Sequence, residues 1–305
     1  MKNEPKIFVI IVTYKGHQWY ERCFTSLRNS EYPVQTIVVD NASNDGTVEY
    51  IREHFPEIHL IESKENLGFG KANNLGMRYA LDHGCDYVFL LNQDAWVEPS
   101  SISELVNIHQ KYPEYGLLSP MHVTADKKGL YIEIEDGKTD HANSLLSDCY
   151  FQSLKDVYTF KYINAAAWLM TRKTLETVGG FDPVFFLYGE DDNYLQRMEY
   201  HGVKLGLAPK IRIIHDHQNG VKNNTNENRQ YRTIQSKLAE YTNILKPLSV
   251  QVHLIYLYRK LLVSLFLFKK QSITQYMEEI KLLQKYKLQI QNSRKINSIK
   301  QPSWL

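Results

Sequence analysis

Along the first ninety residues, short apolar runs alternate with stretches in which apolar side chains recur every three or four positions. Residues 7–13, 36–40, 58–61 and 87–91 are runs apolar enough on successive positions for strands covered on both faces. Between them, Trp19, Cys23 and Leu27, then Val48, Ile51 and Phe55, then Leu75, Tyr79 and Ala80 fall at helical spacing. The second of these helices follows Asn44-Asp45-Gly46-Thr47, a stretch rich in turn and capping residues, and His83-Gly84 closes the third. Strands alternating with helices of about 10–15 residues predict an α/β fold with a mostly parallel central sheet and helices on both faces.

The pattern loosens over residues 115–165, where 131–135 alternate like an edge strand before an Asp136-Gly137 turn. Residues 162–170 read as another buried strand, 171–205 as two helices around a loop of Gly, Phe and acids, and 211–214 as a strand leading to His215-Asp216-His217. From 231 the character changes. Residues 248–268 are heavily apolar, but Gln251, His253, Arg259 and Lys260 interrupt them and Lys269-Lys270 flank them, which is too polar for a membrane-spanning helix. Ile273, Tyr276, Met277, Ile280, Leu283, Lys287 and Ile290 then follow an amphipathic helical period. The expected division is an α/β domain over 1–230 and a helical extension over 231–305.

Charge sharpens that division. From residue 231 there are thirteen Lys and Arg against three acids, a surplus of ten; the whole chain carries +2, so the first 230 residues carry −8. A basic amphipathic tail on an acidic body points to an anionic partner, and 248–290 reads as a membrane-surface segment, a hairpin packed on the main domain, or a homodimer contact. Three cysteines (Cys23, Cys85, Cys149) without paired spacing argue against a disulfide framework or a zinc site and suit a reducing cytoplasm. The apolar run 7–12 is too short for a signal peptide or a span. The expected location is the cytoplasm or the inner face of the cell membrane, with no nucleic-acid partner.

In open parallel sheets, ligands bind outside the carboxyl ends of the strands. Those ends are Thr13-Tyr14, Asp40-Asn41, Asn66 onward, and Asn92-Gln93-Asp94. Asp94 can bind a hard cation such as Mg²⁺ or cap a helix starting near Pro99. Glu190-Asp191-Asp192 can cap a helix, but three adjacent acids repel one another, and a carboxylate with a raised pKa beside aromatic rings suits a general base. His215 and His217 point the same way if the strand persists, as metal ligands or as structural histidines. Gly68-Phe69-Gly70 lacks the third glycine of a dinucleotide fingerprint and follows the third strand rather than the first.

Six segments occur in order: VIIVTYKG (9–16), IVVDNASNDGT (37–47), ENLGFGKANNLG (65–76), FLLNQDA (89–95), VGGFDPVFFLYGEDDNYLQR (178–197) and IIHDH (213–217). Together, over about residues 6–220, they resemble the family 2 glycosyltransferases of GT-A fold, particularly the bacterial rhamnosyltransferase-like branch. The resemblance implies an inverting, metal-dependent transferase. It would move sugar from a nucleoside-diphosphate sugar to a hydroxyl of a glycan or lipid-linked glycan, in surface polysaccharide biosynthesis. Carried over by position, Thr13, Tyr14, Asp40, Asn66, Gly68, Asn73, Asn92 and Gln93 would hold the donor. Asp94 and His215 would hold Mn²⁺ or Mg²⁺, and Asp191, with Glu190 beside it, would be the catalytic base. Two positions depart from the pattern: Asn92 replaces the first acid of the DxD motif, and Asn193 stands where many relatives have a further acid. The competing expectation is a non-catalytic nucleotide-sugar-binding or scaffold protein derived from this fold.

Overall fold

The computed structural model describes residues 4–130, 142–216 and 226–305; the expected strand 131–135, its Asp136-Gly137 turn and His217 lie outside them. The first half runs β1 (Ile7–Thr13), α1 (His17–Arg28), β2 (Val34–Asp40), α2 (Thr47–His54), β3 (His59–Glu62), α3 (Gly68–Asp82) and β4 (Tyr87–Leu91). Then come β5 (Ala95–Val97), α4 (Ser101–Lys111), β6 (Tyr115–Thr124), α5 (Ala142–Tyr150), β7 (Tyr158–Phe160) and β8 (Ala167–Thr171). The rest is α6 (Arg172–Val178), α7 (Glu190–Tyr200), β9 (Lys204–His215) and three helices, α8 (Asn226–Thr242), α9 (Val250–Phe266) and α10 (Lys270–Asn297).

One mixed sheet carries the strands in the order β3-β2-β1-β4-β8-β6-β9-β5, with β7 paired to β9. The β3-β2-β1-β4 half is parallel, as its helical crossovers require, with Thr13 opposite Asp40. Strand β8 then runs antiparallel to both β4 and β6, while β6 and β9 are parallel. Successive residues of the strands feed opposite cores: Phe8, Ile10 and Leu90 face one apolar cluster, and Ile7, Val9, Ile11 and Phe89 the other. Helix α3 lies close on its face because residue 76 is glycine; a Cβ there would fall 2.5 Å from Ile10 Cγ2.

The looser middle of the sequence hides a central strand. In β6 the segment YGLLSPMHVT carries Gly116 and Pro120, which read as strand breakers. The structure accommodates both at register shifts, between Tyr115 and Leu117 and between Pro120 and Met121. Of the expected strand at 162–170, only the part from Ala167 onward is strand. Helix α4 begins at Ser101, with no side-chain cap, so Asp94 is not its capping residue.

Candidate functional site

The parallel strands end at a cleft of about 370 Å³ lined by Tyr14, Asn41, Asn66, Gly68, Phe69, Asn92, Gln93, Asp94, Phe186 and Leu187. Side-chain amides hold its walls. Gln93 Oε1 accepts from the Tyr14 backbone N–H at 2.9 Å while its Nε2 donates to the Tyr14 carbonyl at 3.2 Å, so β1 and β4 are tied where they open into the cleft. Asn41 does the same for the turn before α3, accepting from Leu67 N at 2.7 Å and donating to Gly68 O at 3.1 Å. Asn74 accepts from Phe181 N at 2.7 Å and donates to its carbonyl at 2.8 Å, fixing the loop that leads to α7. Each amide replaces the pairing that a chain leaving its strand or helix has lost.

At the turn itself Asn66 Oδ1 accepts from Gly68 N at 2.9 Å. Gly68 has φ +79°, and a Cβ would stand 2.0 Å from the Phe186 carbonyl oxygen. That carbonyl accepts from Phe69 N at 3.0 Å, so the loop before α7 closes directly over the turn. Only glycine permits both the left-handed backbone and this approach.

Strand pairing assembles the next group. Antiparallel pairing of β5 with β9 sets Ala95 opposite His215, and Asp216 N donates to the Asp94 carbonyl at 2.8 Å. The Asp94 carboxylate then stands 3.3 Å from His215 Nε2. His122, on the neighbouring β6, sets its ring perpendicular to that of His215 at 5.9 Å between centroids, and its Nε2 lies 3.2 Å from Ser119 Oγ. Trp19 Nε1 donates to Asp216 Oδ2 at 3.3 Å, tying α1 to the end of β9. Among the described residues no group of three or more His, Cys, Asp or Glu side chains is arranged to hold a metal ion. Asp94 and His215 alone offer one carboxylate and one imidazole, a donor pair of the kind that a hard divalent cation completes with oxygens from water.

Helix α7 begins behind Gly189, whose left-handed backbone (φ 85°) turns the aromatic loop into the helix. Asp191 Oδ2 accepts from Ala165 N at 3.1 Å, which docks the helix start on the segment entering β8. Glu190 is only 5% exposed, and its Oε2 has no hydrogen-bond partner among the described residues. Burial away from water, with the charge of Asp192 adding to it, pushes the Glu190 carboxyl up to about 7. Asn193 faces inward, accepting from Arg197 Nε at 3.0 Å and donating to Thr242 Oγ1 at 3.1 Å.

The C-terminal helices support this loop. The buried Arg197 donates to the carbonyls of Val178 at 2.7 Å and Gly180 at 2.6 Å. The buried Asp182 carboxylate accepts from Val184 N at 3.0 Å, Ser293 Oγ at 2.5 Å and Asn297 Nδ2 at 2.8 Å. Gly180 N donates to Ser303 O at 2.8 Å. Phe185 sits in an apolar cluster with Leu238, Tyr241, Leu283 and Ile290.

The cleft thus gathers Tyr14, Asn66, Gly68, Asn92, Gln93 and Asp94, with His215 beneath Asp94. Thr13 and Asp40 lie deeper and bond to each other at 3.0 Å; Ser43 fills both oxygens of Asp40, which borders a separate small pocket with Arg52 and Glu62. Asn73 donates to the Phe69 carbonyl of its own helix at 3.0 Å. Glu190 and Asp191 follow the cleft-lining Phe186 and Leu187 without lining the cleft themselves. Asn41 stands at one of the polar strand ends already visible in sequence, whereas Asn74 and His122 carry no such signal, and His122 is brought in only by the bulged strand.

Over 232 residues the chain is 28% identical to the N-acetylglucosaminyl-diphospho-decaprenol L-rhamnosyltransferase of Mycobacterium tuberculosis, covering 68% of this chain and 75% of that one. Over 213 residues it is 24% identical to a low-salt glycan biosynthesis hexosyltransferase of Haloferax volcanii, covering 68% and 66%. Among solved structures, the mannosyltransferase of Pyrobaculum calidifontis in complex with GDP-Man and Mn²⁺ shares the fold at TM-score 0.57 and 21% identity, over 78% of this chain and 64% of that chain. S. aureus TarS 1-349 in complex with UDP does so at TM-score 0.56 and 12% identity, over 89% and 70%. The chain therefore spans about two thirds to three quarters of the length of these proteins, and the fold they share is GT-A. The sequence model of glycosyl transferase family 2 matches residues 8–173, more than half of the chain, and the chain belongs to that family.

Proposed function

We propose that the protein is an inverting glycosyltransferase. It moves a sugar from a nucleoside-diphosphate sugar to a hydroxyl of a glycan or lipid-linked glycan in bacterial surface-polysaccharide synthesis, at the inner face of the cell membrane. The observation that carries this reading is the pairing of β5 with β9, which sets Asp94 3.3 Å from His215 beside a cleft walled by Tyr14, Asn66, Gly68 and Asn92. The diphosphate leaves with two negative charges; Asp94 and His215 would hold a divalent cation, which would supply the positive charge that this departure needs. Asn92 contributes a polar but uncharged contact, so the site holds one carboxylate fewer than a DxD sequence would. The Gly68 turn brings backbone, rather than side chain, up to the donor. Asp191, fixed by Ala165 N, takes the proton of the acceptor hydroxyl as it attacks the anomeric carbon from the face opposite the leaving group. The aromatic loop above the turn keeps water from that carbon.

The test uses purified full-length protein and a panel of nucleotide sugars, with dTDP-rhamnose first because relatives are named as rhamnosyltransferases, including a dTDP-rhamnosyl transferase of Shigella flexneri. Donor turnover is expected to stop on chelation and return with Mn²⁺. Asp191→Asn should lower transfer about 10²–10⁴-fold while nucleotide still raises the melting temperature. Asp94→Ala should abolish the extra stabilisation that Mn²⁺ gives in the presence of nucleotide. Unchanged transfer in the Asp191→Asn protein would overturn the assignment of the base. Nucleotide-sugar binding with no turnover of any donor would favour the scaffold alternative.

A further inference from the structure

Helix α9 is apolar on the side it packs and apolar on the side it shows to water. Its buried residues are Val250, Leu257 and Ser264, a single stripe along the contact with α10. Away from that stripe, Val252, Ile255, Arg259, Leu262, Val263 and Phe266 recur at i, i+3, i+7, i+10, i+11 and i+14, so five of the six residues centred on the exposed face are hydrocarbon. The turn into α10 adds Leu267 and Phe268. Leu262 is 66% exposed, Phe266 84% and Phe268 88%. A helix with hydrocarbon on its outer face as well as on its packed one has a second apolar surface to cover. Isolated exposed apolar residues are ordinary, whereas a continuous face of them marks a contact.

Charge decides what makes the contact. Arg259 and Lys260 stand on or beside the face, Lys269 and Lys270 sit at the hairpin tip beyond Phe268, and the chain from residue 231 carries a surplus of ten positive charges. A second copy would bring this cation cluster against itself, whereas an anionic bilayer complements it. At 17 residues the helix is about 25 Å long, short of a hydrocarbon core of about 30 Å. Among the described residues no helix is long and apolar enough to cross a membrane. We infer that α9 lies in the plane of an anionic membrane surface, its outer face among the acyl chains and Phe266 and Phe268 inserted deepest, with Arg259, Lys260, Lys269 and Lys270 on the phosphate headgroups. Long basic side chains can reach the headgroups from such a position.

The experiment is sedimentation of full-length protein with vesicles of phosphatidylcholine, with and without one third phosphatidylglycerol. Wild type should co-sediment with the anionic vesicles and be released by salt. Replacing Leu262, Phe266 and Phe268 together by Ser should weaken binding at least about tenfold; these side chains are exposed, so the fold is kept. Lys269→Glu with Lys270→Glu should cut binding to anionic vesicles by about fivefold or more per residue. Failure of the wild type to bind, or equal binding by the triple-Ser protein, would overturn the inference. So would a wild-type dimer that the triple-Ser change makes monomeric, because a second copy would then cover the face. None of these readings uses sugar transfer, so a failure here is distinct from a failure of the transferase reading.

Discussion

Glu190 shows how one burial event sets a chemical property. Its carboxyl is ordinary at 4.5 in the unfolded chain and about 7 when folded, because desolvation disfavours the charged form. The folded-state value is raised, so the stability linked to the proton is fully present below pH 4.5 and is lost as pH rises through about 7. Glu190→Gln keeps the neutral shape. It should therefore match wild type in melting temperature near pH 4.5 and exceed it increasingly up to pH 8, as thermal denaturation across that range will measure. A constant gap would mean that the carboxyl titrates normally. At Gly68 the constraint is steric. Gly68→Ala forces a left-handed backbone on alanine and drives its Cβ toward the Phe186 carbonyl. The expected cost is about 1–3 kcal/mol from backbone alone, with weaker nucleotide binding read by titration calorimetry.

At the level of elements, the loop before α7 is held from three directions: Asn74 of α3, Arg197 of α7, and Ser293 and Asn297 of α10. The α10 latch ends on a buried carboxylate, so its hydrogen bonds are charge-assisted. Asn297→Ala removes the donor to Asp182 and also the acceptor for Trp304 Nε1. It should cost about 1.5–3 kcal/mol. Hydrogen exchange should quicken over residues 179–189 while α1 stays protected. A uniform rise across the protein would show general destabilisation instead of a released latch.

On the scale of the whole molecule, the C-terminal helices share the apolar cluster around Phe185, and Thr242 of α8 bonds Asn193 of α7. A chain ending at residue 230 would leave Phe185 and Asn193 without these partners. We expect it to accumulate as aggregate, while full-length protein from the same expression is soluble and melts in one transition. A soluble 1–230 chain with cooperative melting would show that the helices are dispensable to the fold. Deleting the tail is consequently a poor test of membrane contact, and the surface substitutions on α9 are the better one.

Local sequence determined the four parallel strands, their helices and the polar strand ends, because buried runs and helical periods are short-range patterns that a few neighbouring residues suffice to set. It also singled out Asp94, Asp191 and His215 as candidates, through motifs whose order along the chain is itself the signal. It did not reveal β6, whose Gly116 and Pro120 are tolerated only because bulges against β9 absorb them. Nor could it say that Asp94 meets His215, which are separated by more than a hundred residues and joined by the pairing of β5 with β9. Gln93, expected among the donor contacts, lines the cleft and also ties two strands together; Asn193, which stands where many relatives have a further acid, links internally to α8. In each case the residue type was visible in sequence. Its partner was set by long-range packing, which is where hydrogen bonds at chain ends and buried charges must be satisfied.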